Sequence, residues 1–237
     1  MSEKHASVSG QSFEERRDAA KDRINALDKE KLENNPDRTE FFETVYQQAD
    51  GDAAMVPWAD LEPKTDLLGW LNKNAGKGRR AIDIGCGLGD NAEAMQIAGY
   101  QTTAFDFSPD AIEWAQRRFP GSKVDYHVAD LSSLPRDWAG RFDLVHECYT
   151  LQSIPPETLE WSVPAVASLV APGGTLLVYT RIREDGAAVE GPPWPLEQSV
   201  TARFAAMGFA PVAHKEFSTD RHGRLVPHIF SEWKRHA

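Results

Sequence analysis

Three carboxylates and a run of glycines carry the most pointed chemistry in this 237-residue chain. In AIDIGCGLGD, residues 81–90, an apolar run ends at Asp83, and Gly85, Gly87 and Gly89 follow before another acid, Asp90. Glycine permits positive φ and lets a ligand approach the main chain, so this turn suits binding through backbone groups. Asp106 comes 23 residues after Asp83, about where a carboxylate that accepts from two ribose hydroxyls is expected. Asp130 can receive an exocyclic amino group while Leu131 lies against a ring. Taken together the acids predict a nucleoside site.

The same stretch argues against phosphates. A dinucleotide site wants G-x-G-x-x-G and an open helix N-terminus for the diphosphate, whereas Asp90 stands at the third glycine position and is expected to repel it. No GxxxxGK[ST] run is present to cradle a triphosphate. Lys plus Arg number 26 against 36 Asp plus Glu, a net charge of −10, which disfavours sequence-independent binding to nucleic acid. The start MSEKHASVSG lacks the apolar middle of a signal peptide and no run of about 18 apolar residues occurs, so a cytoplasmic location without membrane contact is expected. Cys86 and Cys148 stand alone, with no CxxC or Cys/His cluster, and read as reduced thiols rather than a disulfide or a zinc site. Cys86 reads as a small packing residue of the loop.

These residues need strands to present them. RAIDI, QTTAFD, KVDYHV, RFDLVHE and GTLLVYT read as strands, alternating with helices in DNAEAMQIAG, SPDAIEWAQRRF and PETLEWSVPAVASLV. Ser108 is placed to cap the second of these, with Pro109 at its first position. The alternation implies right-handed crossovers and a doubly wound, mostly parallel α/β sheet of seven strands. Another helix carries Leu196, Val200, Phe204 and Met207. After it, APVAHKEF and the run near RLVPHIFSEW read as an antiparallel C-terminal pair, the last strand beginning after Pro227 because proline lacks a ladder donor. Upstream, Phe13, Ala20, Ile24, Leu27 and Leu32 recur at helical spacing, a second helix holds Phe41, Phe42, Val45 and Tyr46, and KTDLLGWLNKN makes a third. The expected organisation is an N-terminal helical lid over residues 1–76 and a ligand-binding domain over 77–237.

AIDIGCGLGD, AFDFSPDAIEWAQRR, VADLSSLP, FDLVHE and LVAPGGTLLVY, in this order over about residues 79–180, resemble the class I S-adenosylmethionine-dependent methyltransferases. The resemblance implies S-adenosylmethionine as cofactor. It also implies that Gly85, Cys86 and Gly87 border its methionine part and that Asp83 orients the loop and the ammonium through water. Asp106 would take the ribose, Phe107 would flank the adenine, Asp130 and Leu131 would read its edge, and His146 with Glu147 would close the floor.

The acceptor follows from what surrounds the cleft. Glu147-Cys148-Tyr149-Thr150 is not the Asn/Asp-Pro-Pro-aromatic run of enzymes that methylate amide and base nitrogens, and no Asp/Asn cluster is present to hold magnesium. The segments around Tyr46, Trp58 and Trp194 are similar to those of the small-molecule branch that includes thiopurine and thiol S-methyltransferases, whose N-terminal helix and late loop cover cofactor and acceptor. This implies methyl transfer to a small, partly apolar molecule, with a xenobiotic or secondary-metabolite thiol expected, because a thiolate needs no strong base. For a hydroxyl acceptor, His146 or Tyr149 would take the proton. Arg181 could hold an acidic acceptor beside Trp194, with Arg183 nearby. An O- or N-methyltransferase, a non-catalytic S-adenosylmethionine-binding module and a dinucleotide oxidoreductase are the alternatives.

Overall fold

The computed structural model describes residues 12–34, 38–189, 191–221 and 223–237. Five parallel strands form one side of the sheet: β1 (Arg80–Ile84), β2 (Gln101–Asp106), β3 (Asp125–Val128), β4 (Phe142–Cys148) and β5 (Val170–Arg183). A two-residue strand, β6 (Leu196–Glu197), pairs with the end of β5, and β7 (Phe209–Arg221) and β8 (Arg224–Arg235) close the other side. The order is β3-β2-β1-β4-β5-β8-β7, with β8 antiparallel to both neighbours.

Strand alternation sorts the core into two layers. Ile82, Ile84, Val145, Leu176 and Val178 face α6 (Leu159–Leu169) and α7 (Gln198–Ala206), meeting Val163, Val166 and Phe204. The intervening Ala81, Leu144 and Leu177 face the opposite way, onto Leu67 and Leu71 of α3 (Thr65–Leu71) and Met95 of α4 (Asp90–Ile97). Helices cover both faces, which is why these strands are apolar at nearly every position. α5 (Pro109–Arg118) starts as its sequence dictates: the Ser108 hydroxyl accepts from the Ala111 N–H and Pro109 occupies the first turn.

The N-terminal segment packs beside the loop after β1. α1 (Phe13–Asn34) buries Phe13, Ala20 and Ile24, the spacing its sequence suggested, while Leu27 is half-buried and the Leu32 side chain lies outside the described residues. Phe13 joins Tyr46 of α2 (Thr39–Ala49), Ala54, Leu88 and Trp114 in one cluster. Arg16 pairs with Asp52 and Arg17 with Asp60, fastening the helix to the segment between α2 and α3.

Two expectations need correction. The sheet has eight strands rather than seven, because the chain after β5 returns to add β6. β8 begins at Arg224, not after Pro227: its pairing with β5 stops at Arg181 opposite His228, so at Pro227 the strand has β7 on one side only and the missing donor costs no ladder bond to β5. Among the described residues, no helix is long and apolar enough to cross a membrane.

Phe13→Ala removes the aromatic ring that ties α1 to this cluster. We expect a loss of about 3 kcal/mol, read as a lower urea midpoint with an unchanged slope.

Candidate functional site

The strand order reverses at β1, whose neighbours are β2 and β4, and a cavity of about 630 Å³ opens beyond the carboxyl ends of these strands. That volume is ordinary for a small-molecule site. Its walls are the loops after β1 to β4, completed by α2 and the segment leading to α3.

The glycine loop is shaped by close approach. Gly85 and Gly87 have φ of +59° and +52°. A Cβ on Gly85 would lie 2.5 Å from the Thr150 hydroxyl oxygen, which donates to the Ile84 carbonyl at 3.1 Å. At Gly87 the one neighbour is the Tyr46 hydroxyl at 3.4 Å, so the main chain is bare toward the cavity. The Gly87 N–H donates to Asp106 Oδ2 at 3.0 Å, and the Ser108 N–H donates to Oδ1 at 3.1 Å. Asp106 is 6% exposed; burial pushes its pKa up to about 6 even though these donors pull the other way.

The other nucleoside-type residues converge on the same space. The Ala129 N–H donates to the Asp106 carbonyl, and Asp130 closes a tight turn by accepting from the Ser132 N–H at 2.7 Å. Phe107, Leu131, Cys86, Tyr46, Trp58 and Tyr149 line the cavity with them. Trp58 donates its indole N–H to the Tyr46 hydroxyl at 2.9 Å, which fixes both aromatic rings in the wall. Phe107 meets Phe42 edge to face, with centroids 5.8 Å apart.

Asp83 and His146 are placed differently. They stand in register on β1 and β4, so both side chains point to one sheet face, and His146 Nδ1 lies 2.7 Å from Asp83 Oδ1. Both are at most 1% exposed and neither lines the cavity. This corrects the expectation that His146 touches the cofactor or takes a proton from an acceptor: it is a buried partner of Asp83 beneath the loop. Asp83 Oδ2 has no hydrogen-bond partner within the protein. Glu147 is also buried; its Oε1 accepts from the Leu151 N–H at 3.0 Å, and burial pushes its pKa up to about 7.

Arg181 and Trp194 lie outside this cavity as well, a second correction. β5 continues to Arg183 and pairs with β6, which carries the following loop toward α7. The Arg181 N–H donates to the Gln152 side chain, the Trp194 N–H donates to the Gln152 carbonyl, and Trp194 lines a separate cavity of about 170 Å³ with Leu196 and Val200. Arg183 is engaged by Glu197 at 2.8 Å.

Asp90 does not act as expected either. Arg118 grips both its oxygens at 2.8 and 2.9 Å and donates to the Leu88 carbonyl, so the charge that was to repel a diphosphate is countered within the protein. The lining as a whole carries Asp60, Glu62, Asp90, Asp106, Asp130 and Glu157 against a single Lys or Arg among the described residues, Lys64. Lys64, Phe42, Ile154 and Trp161 are lining residues that motif reading missed. Phe42 showed only as part of a helical face, and Lys64 carries no motif at all.

Residues 81–174 match the family model described as "Methyltransferase domain". A curated ubiquinone biosynthesis O-methyltransferase of Aromatoleum aromaticum is 35% identical over 143 residues, 59% of each chain. The chain spans about three-fifths of that relative's length and about half that of other curated relatives it matches. Among solved structures, one from work on the conversion of a disulfide bond into a thioacetal group during echinomycin biosynthesis superposes with a TM-score of 0.67 at 20% identity, covering 84% of this chain and 93% of that one. A Burkholderia thailandensis 1,6-didemethyltoxoflavin-N1-methyltransferase, solved with its substrate and S-adenosylhomocysteine, gives 0.63 at 18% identity, covering 83% and 88%.

Gly87→Ala tests the bare loop. A left-handed alanine costs about 1 kcal/mol, so the protein should remain folded, while its new methyl enters the cavity. We expect a melting temperature lowered by a few degrees and at least a tenfold loss of affinity for S-adenosylhomocysteine by calorimetry.

Proposed function

Given that residues 81–174 match the family model of a methyltransferase domain, we propose that the protein is a class I S-adenosylmethionine-dependent methyltransferase that transfers the methyl group of S-adenosylmethionine to a small acceptor molecule. The observation that carries this reading is Asp106, a buried carboxylate at the tip of β2, inside the cavity and hydrogen-bonded to the bare glycine loop. The residues fit the group. Asp106 offers its remaining lone pairs to a ribose diol, Phe107 and Leu131 offer apolar surface to a flat ring, Asp130 offers a carboxylate to its edge, and the acid-rich lining suits a cationic ligand.

S-adenosylmethionine, when bound, supplies a methyl group already activated on a sulfonium. The chain's part is then to hold two reactants in line and keep water out, which can lower the barrier by roughly 7 to 11 kcal/mol. Tyr46 and Trp58 form the wall beside Gly87 and shield that side from solvent. Thr150, bonded to the end of β1, holds the loop after β4 against the glycine turn, so Cys148 and Tyr149 face the same space. Burial raises the Cys148 thiol well above its usual range, which keeps it neutral and makes it a poor competitor for the methyl group.

For the acceptor atom we favour oxygen over the thiol sulfur expected from sequence. Similarity to relatives named O-methyltransferases supports this, as does a cationic group on the cavity wall that can stabilise an oxyanion.

Two outcomes test the cofactor assignment. Asp106→Asn loses the charge and turns one of the two oxygens that accept from the Gly87 and Ser108 N–H groups into a donor, so it should lower the melting temperature by a few degrees and weaken S-adenosylhomocysteine binding about 30-fold, a charge-assisted hydrogen-bond contribution; unchanged affinity would refute the ribose assignment. The pH dependence has two opposite signs. Because folding raises the Asp106 pKa to about 6, the folded chain without ligand binds more protons than the unfolded chain between about pH 4 and 6, so this group's contribution to stability falls as pH rises through that window. Binding needs the ionised carboxylate, so affinity should drop by up to about tenfold per pH unit below 6, with proton release seen as buffer-dependent heats at pH 5.5.

A further inference from the structure

Lys64 is the single Lys or Arg among the cavity-lining residues described, and its surroundings are specialised. It immediately precedes α3, its backbone N–H donates to Asn91 Oδ1 at 3.0 Å, and its side chain is 15% exposed. The ammonium lies 4.8 Å from the centroid of the Tyr149 ring and 5.5 Å from that of Tyr179. It also pairs with Asp60, which at the same time takes Arg17 at 2.9 Å. One carboxylate therefore serves two cations. An ammonium has three donors, and ring faces stabilise its charge without accepting a linear hydrogen bond from it.

Tyr149 adds a second, independent observation. Its φ is +67°, a conformation that bulky residues rarely hold unless the surroundings impose it, and that concentrates at functional sites. The restraints are visible: its N–H donates to the Tyr179 carbonyl at 3.0 Å, its hydroxyl is hydrogen-bonded to that of Tyr179, and the two rings meet edge to face at 5.2 Å. The backbone is bent so that the ring stands between the cavity and the Tyr179–His228 cluster of β5 and β8. The site thus has two ends: Asp106 and Asp130 at the tips of β2 and β3, and the Lys64–Tyr149 pair at the tip of β4 beside Tyr179 of β5.

We propose that Lys64, seated on Tyr149 and Tyr179, is the charge-stabilising residue of the acceptor subsite and that the acceptor is an aromatic hydroxyl that reacts as its oxyanion. This rests on the methyl-transfer reading above. The hydroxyl proton leaves to bulk water, and the oxyanion is held against the ammonium. An oxygen lone pair then forms the bond to the methyl carbon while the carbon–sulfur bond breaks and its electron pair stays on sulfur, giving an aryl methyl ether and S-adenosylhomocysteine. The charged and titratable groups around the ammonium are Asp60, Cys148, Tyr149 and Tyr179, with Arg181 behind Tyr149. Both tyrosines are held neutral by burial, so neither competes as an anion.

The test uses the full chain with S-adenosylhomocysteine and 4-nitrocatechol, whose visible spectrum reports ionisation. In the wild type the bound nitrocatechol should ionise at a pH at least one unit below that of the free molecule, and Lys64→Met should abolish the shift while retaining S-adenosylhomocysteine affinity within about twofold. In turnover with S-adenosylmethionine, kcat/KM for a weakly acidic catechol should fall about 100-fold in Lys64→Met. The loss should shrink for nitrocatechol, and Lys64→Arg should restore part of the rate. Equal spectra in wild type and Lys64→Met, or unaltered turnover, would overturn the role of Lys64. If Lys64→Met does not fold, the ionisation of nitrocatechol on the wild type decides by itself, an unshifted value overturning the proposal. Wild-type protein that binds S-adenosylhomocysteine but not nitrocatechol would overturn the hydroxyl class alone, whereas failure to bind S-adenosylhomocysteine would strike the cofactor reading instead.

Discussion

The hydrogen bond from the Gly87 main chain to the Asp106 carboxylate is the constraint around which the site is arranged. It joins the tip of β1 to the tip of β2, and the second carboxylate oxygen holds the start of α5 through Ser108. A carboxylate so used must be buried, and burial makes its charge costly. The raised pKa of Asp106 is the mark of that cost, offset only partly by two backbone donors. The residue that shapes the loop is therefore also a charged group of the cavity wall.

Charge divides the cavity. The lining is acidic overall, which suits a cation, but the acids are not equivalent: Asp90 is neutralised by Arg118 and Asp60 by Arg17 and Lys64, while Asp106 and Asp130 are held by backbone N–H groups. Carboxylates with cationic partners set the local potential near zero or positive, and those with amide partners leave it negative. The net charge of the chain records none of this.

Much of the site was legible because strand tips are legible. Asp106 and Asp130 end or follow strands, and parallel topology gathers such ends at the edge where the cavity opens, whereas Asp83, one residue before the end of β1, is buried beneath it. What could not be read was depth. His146 is adjacent to residues at the cavity, yet in-register pairing with Asp83 buries it, and a single sequence does not reveal register across a crossover. Trp194 was assigned to the cleft from its place after β5, but the unforeseen β6 turns that loop away. Lys64 was invisible for the opposite reason: its surroundings come from two rings, one just after β4 and one on β5, far along the chain, and no spacing near residue 64 encodes them. Asp90 was read correctly as a charge and wrongly as an unopposed one, since its partner lies at the far end of α5.

The cluster around Phe13 has a bearing on how the chain acquires its shape. Phe13, Tyr46 and Trp58 precede their packing partner Trp114 by more than fifty residues in the chain, so they are made before it. Until β1, β2 and α5 have emerged, those aromatics have no finished surface to rest on and stay exposed to chance contacts. The binding wall thus joins residues that are far apart in the order of synthesis.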